Sequence, residues 1–561
     1  MGAYGGTERR TYGVLGDAVN LSARLMQAAG PGQILVGKDS YDIIADSYQW
    51  RSLSPMQLKG RSEPVAVYGL MGVHTRTIAP LPPSSRESPM VGRQAELELI
   101  LERALKVASG SGCVVGIMAD AGVGKSRLIA EVQSSLTEQH WVCYRGESSS
   151  YGINTSYHAW QNLWWEFFGL DSQWTLTRQL KTIEIQLGAI DSGLVPRMPL
   201  LADVLNLPIP DNDLTAGFDS KLRKASLEAL LVDCLRARSH QIPVLLILDD
   251  SHWMDPLSFS LVEVVSRAIE TMPVMMVLAY RPPQLPHLNA LRDGSLSGFT
   301  LVQLDDLNQQ HAQQLLALKL EQVFGRPVPI APVLAERIIQ RSGGNPFFIE
   351  ELLNFLKNQG LGEEELHSLE RSELPSSLQS LILSRIDQLR EGQKATLKVA
   401  SIVGRSFEAA TLWGFYPQLG EARQIKDHLD VLTQAVLTVR EQPEPDLAYG
   451  FRHALTQEVA YESLPYATRS TLHERLGDYI ETSAVDRLDQ HLDQLAYHYA
   501  LGQNETKKRV YLLKAARRAQ RVYANTAAID YYESVLPLLA NADLPQILRD
   551  LGRVYELSLI H

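Results

Sequence analysis

Eight residues, Ala119-Asp120-Ala121-Gly122-Val123-Gly124-Lys125-Ser126, restrict the fold of this chain more than any other stretch. The apolar run Val114–Met118 leads into them, and Arg127-Leu128-Ile129-Ala130-Glu131-Val132 follows at helical spacing. Strand, glycine-bearing turn, Lys-Ser and helix in that order is the layout of a phosphate-binding loop. Gly122 and Gly124 permit a tight bend. In it the backbone N–H groups of Asp120, Ala121, Gly122, Val123, Gly124, Lys125, Ser126 and Arg127 turn toward a polyphosphate, at the positive end of the new helix. The Lys125 ammonium suits the β- and γ-phosphates of ATP or ADP, and the Ser126 hydroxyl suits Mg²⁺. Ala119 stands where the pattern G-x-x-x-x-G-K-S/T begins with glycine. Binding is therefore expected to be weakened rather than lost, provided that the φ of Ala119 is negative.

The second constraint is Val244-Leu245-Leu246-Ile247-Leu248-Asp249-Asp250. An unbroken apolar run suits a strand buried on both faces, as in a parallel sheet. The acids at its tip are placed for Asp249 to hold Mg²⁺ and for Asp250 to polarise an attacking water. Trp141–Tyr144 and Pro273–Tyr280 are predicted as further strands, and Leu227–Ala237 as a helix. The last of these strands ends in Arg281. There a guanidinium reaching a γ-phosphate and a plain surface arginine are equal alternatives.

Composition sets looser limits. A chain of 561 residues has room for about 3 to 5 domains. The net charge of −11 argues against a general nucleic-acid coat. Three separated cysteines give neither a metal-ligand pair nor a disulfide framework, which suits the cytoplasm. No apolar run approaches ~20 residues, so no membrane partner is expected.

Two more strings sharpen the assignment: Met90-Val91-Gly92-Arg93-Gln94-Ala95-Glu96-Leu97 and Gly343-Gly344-Asn345-Pro346-Phe347-Phe348-Ile349-Glu350-Glu351-Leu352. With the phosphate loop, the string Asp249–Asp255 and Tyr280-Arg281-Pro282, they occur in the order seen in the STAND signal-transduction ATPases. Within that family the chain resembles the ATPase part of bacterial class III cyclase–ATPase fusions, whose layout is similar to mammalian soluble adenylyl cyclase. The resemblance implies that the Val-Gly-Arg box helps to seat adenine and that Pro346 contacts it. It also sets His453, in Arg452-His453-Ala454-Leu455, at a position that touches the ADP β-phosphate. Ala454 replaces the family's acid there, and a histidine without nucleotide contact is the competing reading.

Residues 1–73 resemble the C-terminal part of a class III adenylate/guanylate cyclase domain. The resemblance is carried by Tyr12-Gly13 through Asn20-Leu21-Ser22-Ala23-Arg24-Leu25 and by Leu58-Lys59-Gly60-Arg61 with Pro64–Tyr68. Asn20 and Arg24 lie one helical turn apart and can face one site. The resemblance implies that they orient the nucleotide ribose and stabilise charge on phosphate, and that Lys59 contacts triphosphate. Gly13 replaces the Asp or Thr that reads the purine edge. The two metal-binding aspartates belong to the other half of that domain, so this sequence alone is expected to make no cyclic nucleotide. A separate half-domain or a second protomer would have to complete it.

The expected architecture is multidomain, α/β followed by α. It comprises the partial α+β cyclase domain (1–73), a Pro/Ser-rich linker (74–89) and a P-loop NTPase domain with a parallel sheet (90–285). A helical lid (286–372), a winged-helix-like region (373–481) and the start of a tetratricopeptide-like helical array (482–561) follow. The abrupt start and the uncapped end suggest a sequence cut at both ends. Lys507, Lys508, Arg509, Lys514, Arg517, Arg518 and Arg521 make the array basic, as solvated charge or as a docking face for a protein partner. The expected function is a slow, ATP-operated signalling switch coupled to a cyclase. An active adenylate cyclase and a DNA-binding regulator of the same family are the alternatives. The second lacks the dense Lys/Arg cluster that a recognition helix needs.

Overall fold

The computed structural model describes residues 2–5, 10–13, 17–30, 33–38, 40–41, 48–56, 64–73, 89–149, 152–282, 288, 291, 295–324, 330–358, 374–444, 446–539 and 543–559. The chain divides into two compact units, Met1–Ala79 and Pro80–His561. In the first, β1 (Gly2–Gly5) pairs antiparallel with β2 (Arg10–Gly13), and the helix Asp17–Ala28 follows. Strands β3 (Leu35–Gly37), β4 (Tyr48–Met56) and β5 (Val65–Val73) form an antiparallel sheet in the order β3-β5-β4. Leu25 of the helix and Val67 of β5 make its small core, flanked by Leu21, Leu35 and Leu53.

The second unit is built on five parallel strands: β6 (Cys113–Met118), β7 (Val142–Glu147), β8 (Val244–Asp249), β9 (Val274–Tyr280) and β10 (Phe299–Gln303). Their spatial order is β10-β6-β9-β8-β7. The sheet therefore runs past the boundary expected at 285, because β10 adds to β6 from within the stretch expected to be wholly helical. Only one side chain of β10 is buried, so it lacks the apolar run that marks β8 and β9.

Side-chain alternation along each strand feeds two cores. Leu245 and Ile247 of β8 pack with Val115, Ile117, Met275 and Val277 under the helices Gln94–Ala108 and Lys125–Glu138. Val244, Leu246 and Leu248 face the other way, toward the helices His158–Phe167, Ser220–Ser239 and Pro256–Ala268. All five of these β8 side chains have no exposed surface, which amounts to an order of 10 kcal/mol of hydrophobic stabilisation before chain entropy.

The helices Gln309–Phe324, Pro332–Ser342 and Pro346–Asn358 form their own core, with Leu316, Ile338, Ile349 and Leu352. Next come the helix Glu391–Val403, β11 (Ser406–Glu408), the helices Ala409–Phe415 and Ala422–Gln434, β12 (Thr438–Gln442) and β13 (Ala448–Phe451). The three strands pair antiparallel in the order β11-β13-β12. The helices Ala454–Glu462 and Tyr466–Ser483 lead into a run of consecutive helices, Leu492–Leu501, Glu505–Arg521, Asn525–Val535 and Leu544–Leu559, each packed on the next. Ala496, Ala515, Ala516, Ala519, Ala527 and Ala528 are buried at these contacts, where small side chains let helix axes approach. This run also contacts Asn206, which lies in the sequence between β7 and β8. Arg518 donates to Asn206 Oδ1 at 2.9 Å, and Asn206 Nδ2 donates to the Gln490 carbonyl at 2.9 Å. Among the described residues no helix is long and apolar enough to cross a membrane.

Candidate functional site

The C-terminal edge of the parallel sheet collects most of the polar residues singled out above. From β6 the chain turns through Ala119–Gly124 into the helix Lys125–Glu138. Gly122 (φ 80°) and Gly124 (φ 111°) have the backbone that side chains resist, and Ala119 is not among the residues of positive φ. The condition set for Ala119 is thus met. A Cβ on Gly124 would meet nothing within 4 Å, so the loop leaves open space above that residue. Lys125 Nζ donates to the carbonyls of Ala119 at 2.6 Å and Asp120 at 2.9 Å. Burial and the Arg281 guanidinium lower the pKa of this ammonium, while Asp250, Asp249 and Asp120 oppose them. Lys125 therefore senses both acids at the tip of β8. Ser126 is half-buried, and Arg127 pairs with Glu131 one turn along its helix.

The other segments seat this loop. Arg93 is buried and donates to the Val123 carbonyl at 3.3 Å, and also to the Asp305 carbonyl beyond β10. The Val-Gly-Arg box thus clamps the loop to the end of β10. From the other side Asn345 Nδ2 donates to the Ala121 carbonyl at 3.1 Å, and the Phe347 N–H donates to the Gly122 carbonyl at 3.2 Å. Asn345 also caps its own helix, its Oδ1 accepting from Phe347 and Phe348. Pro346 lies half-buried between these two loop contacts, as the first residue of the helix Pro346–Asn358. The Phe347 ring meets the His453 ring at 3.8 Å between centroids, so His453 reaches the loop through Phe347. Burial pushes the His453 imidazole down to about 3, against the pull of Glu350, so it is neutral.

At the tip of β8, Asp249 is 2% exposed, and its Oδ2 accepts from Arg145 Nη2 of β7 at 2.6 Å. Its Oδ1 accepts from the Asp250 N–H at 2.9 Å. Burial raises its pKa, but Arg145, Arg405 and these hydrogen bonds outweigh burial and hold it ionised, below the usual value. Asp250 has left-handed backbone (φ 50°), a conformation that costs a non-glycine residue about 1 kcal/mol or more. Burial and the neighbouring Asp249 charge push its carboxyl up to about 7, against the Arg405 guanidinium. His252 lies 3.9 Å from Asp250 and accepts the Arg281 N–H at 3.5 Å. Burial, with Arg281 and Lys125, lowers it to about 3. Arg281, at the end of β9, pairs with Glu458 at 2.9 Å.

The strand ends thus bring together Lys125, Asp249, Asp250 and Arg281, and the lid segment adds Pro346 beside the loop. Asn20 and Arg24 belong to the other unit, exposed and half-buried on one helix. Lys59 lies outside the described residues. Sequence reasoning missed Arg145, Glu147, Arg405 and Glu458, and gave His252 no role beyond its place in the string Asp249–Asp255. The only signal for the first two was their place at the end of a predicted strand, in Arg145-Gly146-Glu147. The donors fit a magnesium–nucleotide chemically: hydroxyl and carboxylate oxygens for a hard cation, and an ammonium with open space above a glycine bend for phosphate.

The chain is similar to several known proteins. Residues 89–277 match the family described as AAA ATPase domain. An uncharacterized protein of Rhizobium meliloti (strain 1021) is 26% identical over 469 residues, covering 82% of this chain and 44% of that protein. Adenylate cyclase type 10 of Rattus norvegicus is 22% identical over 587 residues, covering 92% of this chain and 35% of that protein. The chain thus spans less than half the length of these relatives. Among solved structures, a Signal Transduction ATPase with Numerous Domains (STAND) protein with a tetratricopeptide repeat sensor, from Pyrococcus horikoshii, is similar at 14% identity. It covers 84% of this chain and 62% of that one, with a TM-score of 0.43.

Proposed function

We propose that this chain is an ATP-binding signalling ATPase that acts as a nucleotide-operated switch, the regulatory module of a class III adenylate/guanylate cyclase system. One observation carries the proposal: Lys125, Asp249, Asp250 and Arg281 converge at one end of a parallel sheet, around a glycine bend with open space above it. Lys125 and the loop amides bind the phosphates of ATP or ADP, and Pro346 borders the adenine. Ser126 and Asp249 would hold Mg²⁺, which supplies charge neutralisation at the phosphates when bound. Asp250 orients the attacking water, and Arg281 answers the γ-phosphate. Turnover is slow, since a switch needs residence in each state.

The segment 373–481 serves as a winged-helix-like element, with the three antiparallel strands β11, β13 and β12 set among its helices. The consecutive helices from Leu492 onward are the start of a tetratricopeptide-like array for a protein partner. Asn20 and Arg24 are the catalytic pair of the cyclase part, active only where a half-domain carrying the metal-binding aspartates completes it. The similarity to adenylate cyclase type 10 supports the coupling. Titration of the whole chain with ATP and Mg²⁺ tests the reading. Lys125→Ala is expected to abolish binding, and unchanged affinity in that variant refutes it.

A further inference from the structure

The acids and the arginine at the strand ends are held from outside the sheet by one piece of the chain. Arg405, immediately before β11, donates from Nη1 to Glu147 Oε1 at 2.7 Å and to Asp250 Oδ2 at 3.1 Å. Glu458, on the helix Ala454–Glu462 after β13, accepts from Arg281 Nη2 at 2.9 Å. The two charges cross the same boundary in opposite directions, the arginine reaching in and the carboxylate covering the arginine that reaches out.

Arg405 and Glu458 are tied to the same piece of the chain. The Arg405 carbonyl accepts the Phe451 N–H at 2.8 Å, so Arg405 is fixed to the three-stranded sheet. Gln457, beside Glu458, donates to the Ser401 carbonyl at 2.8 Å and ties its helix to Glu391–Val403. Arg452 near Glu350 (3.7 Å) and His453 against Phe347 close the same boundary beside the phosphate loop. The pairs are partly buried: side-chain exposure is 31% for Arg405, 39% for Glu147 and 17% for Asp250, against 24% and 34% for Arg281 and Glu458. Each pair keeps some contact with solvent, which limits what it adds to the docked state.

We propose that Arg405 and Glu458 form a two-point latch that withholds Asp250 and Arg281 from bound ATP, and that undocking of the three-stranded piece frees both groups together. The latch rests on the ATPase reading above and adds its regulation. An Asp250 carboxylate occupied by a guanidinium has less capacity to accept a hydrogen bond from water. An Arg281 paired with Glu458 offers a γ-phosphate a neutral pair in place of a free cation. The docked arrangement therefore holds nucleotide without turning it over.

The whole chain with Arg405→Gln, with Glu458→Gln, and with both tests this. Phosphate release from ATP and binding of a fluorescent ATP analogue are measured side by side. Loss of about 1 kcal/mol of pairing per substitution corresponds to a rise in turnover of about 5-fold for each single variant, and more for the double. Affinity for the analogue should change little, and hydrogen exchange in residues 405–408 and 454–462 should quicken. Turnover that is unchanged or lower in the double variant, with binding retained, overturns the latch and leaves the ATPase reading standing. Failure of the unaltered chain to bind the analogue overturns the reading on which the latch rests. Arg405→Lys keeps the charge at the boundary and guards against misfolding; an intermediate rise supports the latch, and a fall to below the unaltered rate counts against it.

Discussion

Gly122→Ala and Gly124→Ala have the same chemistry but different surroundings, and their contrast tests how the lid segment holds the phosphate loop. Both glycines have positive φ, so alanine meets backbone strain of roughly 1–2 kcal/mol at either position. At Gly124 the added Cβ meets nothing within 4 Å. At Gly122 it would lie 2.8 Å from Asn345 Oδ1 and 2.8 Å from Phe347 Cβ, too close for either to stay. Pushing them away breaks the Asn345 bond to the Ala121 carbonyl and the Phe347 bond to the Gly122 carbonyl. At about 1 kcal/mol for each, Gly122→Ala should cost about 2 kcal/mol of docking beyond the shared strain. That is close to 30-fold in the local opening constant. Amide hydrogen exchange over residues 345–349 reads it directly. Exchange should accelerate about 30-fold in Gly122→Ala and stay within about 3-fold of the unaltered chain in Gly124→Ala. Equal acceleration in the two variants, or none in Gly122→Ala, would refute the claim that the lid is seated through Asn345 and Phe347.

Two further outcomes follow from buried polar pairs. Arg385 and Glu351 pair with side chains 2% and 3% exposed, so Glu351→Ala strands a guanidinium and should cost about 3–5 kcal/mol. Joint replacement of both by methionine should be much milder, and urea unfolding followed by the fluorescence of the whole chain distinguishes them. His473 and His498 share an Nδ1···Nδ1 hydrogen bond of 2.9 Å, with Tyr461 Oη on His473 Nε2, Tyr497 alongside and Arg469 nearby. Burial, then Arg469, pushes His473 from 6.5 down to about 4. The unfolded chain binds more protons between these values, so stability is lost as pH falls from 6.5 toward 4, by roughly 3 kcal/mol at the lower end. His473→Gln should flatten that slope in an unfolding series from pH 7 to pH 4, and an unchanged slope would exclude this pair as its source.

The strands that stood out most clearly in the sequence were those whose burial is nearly complete. Val114–Met118, Val244–Leu248 and Pro273–Tyr280 stand out because both faces of their strands are covered; the first two runs fall within β6 and β8, and the third is β9 with Pro273 just before it. β10 escaped notice because a strand with one buried residue has no apolar signature, and it lies beyond the domain end expected at 285. The helix expected over Leu227–Ala237 is longer, Ser220–Ser239, since Asp219 caps it by accepting the Leu222 N–H. The helix His158–Phe167, with Trp160, Leu163 and Trp164 buried, was not anticipated. Aromatic residues that line a core suit a strand as well as a helix.

The sequence by itself determined the bend of the phosphate loop and the acids at the strand tip. Each is written in consecutive residues, where glycine torsions and side-chain alternation act over a few bonds. Tertiary structure alone decided what surrounds them. Arg405 meets Glu147 across 258 residues of chain, Arg281 meets Glu458 across 177, and Arg93 meets the Asp305 carbonyl across 212. Periodicity has no reach at such separations. Whether two charges so far apart in the chain become partners depends on how whole layers dock, through the apolar faces that β8 and the helices around it present to one another.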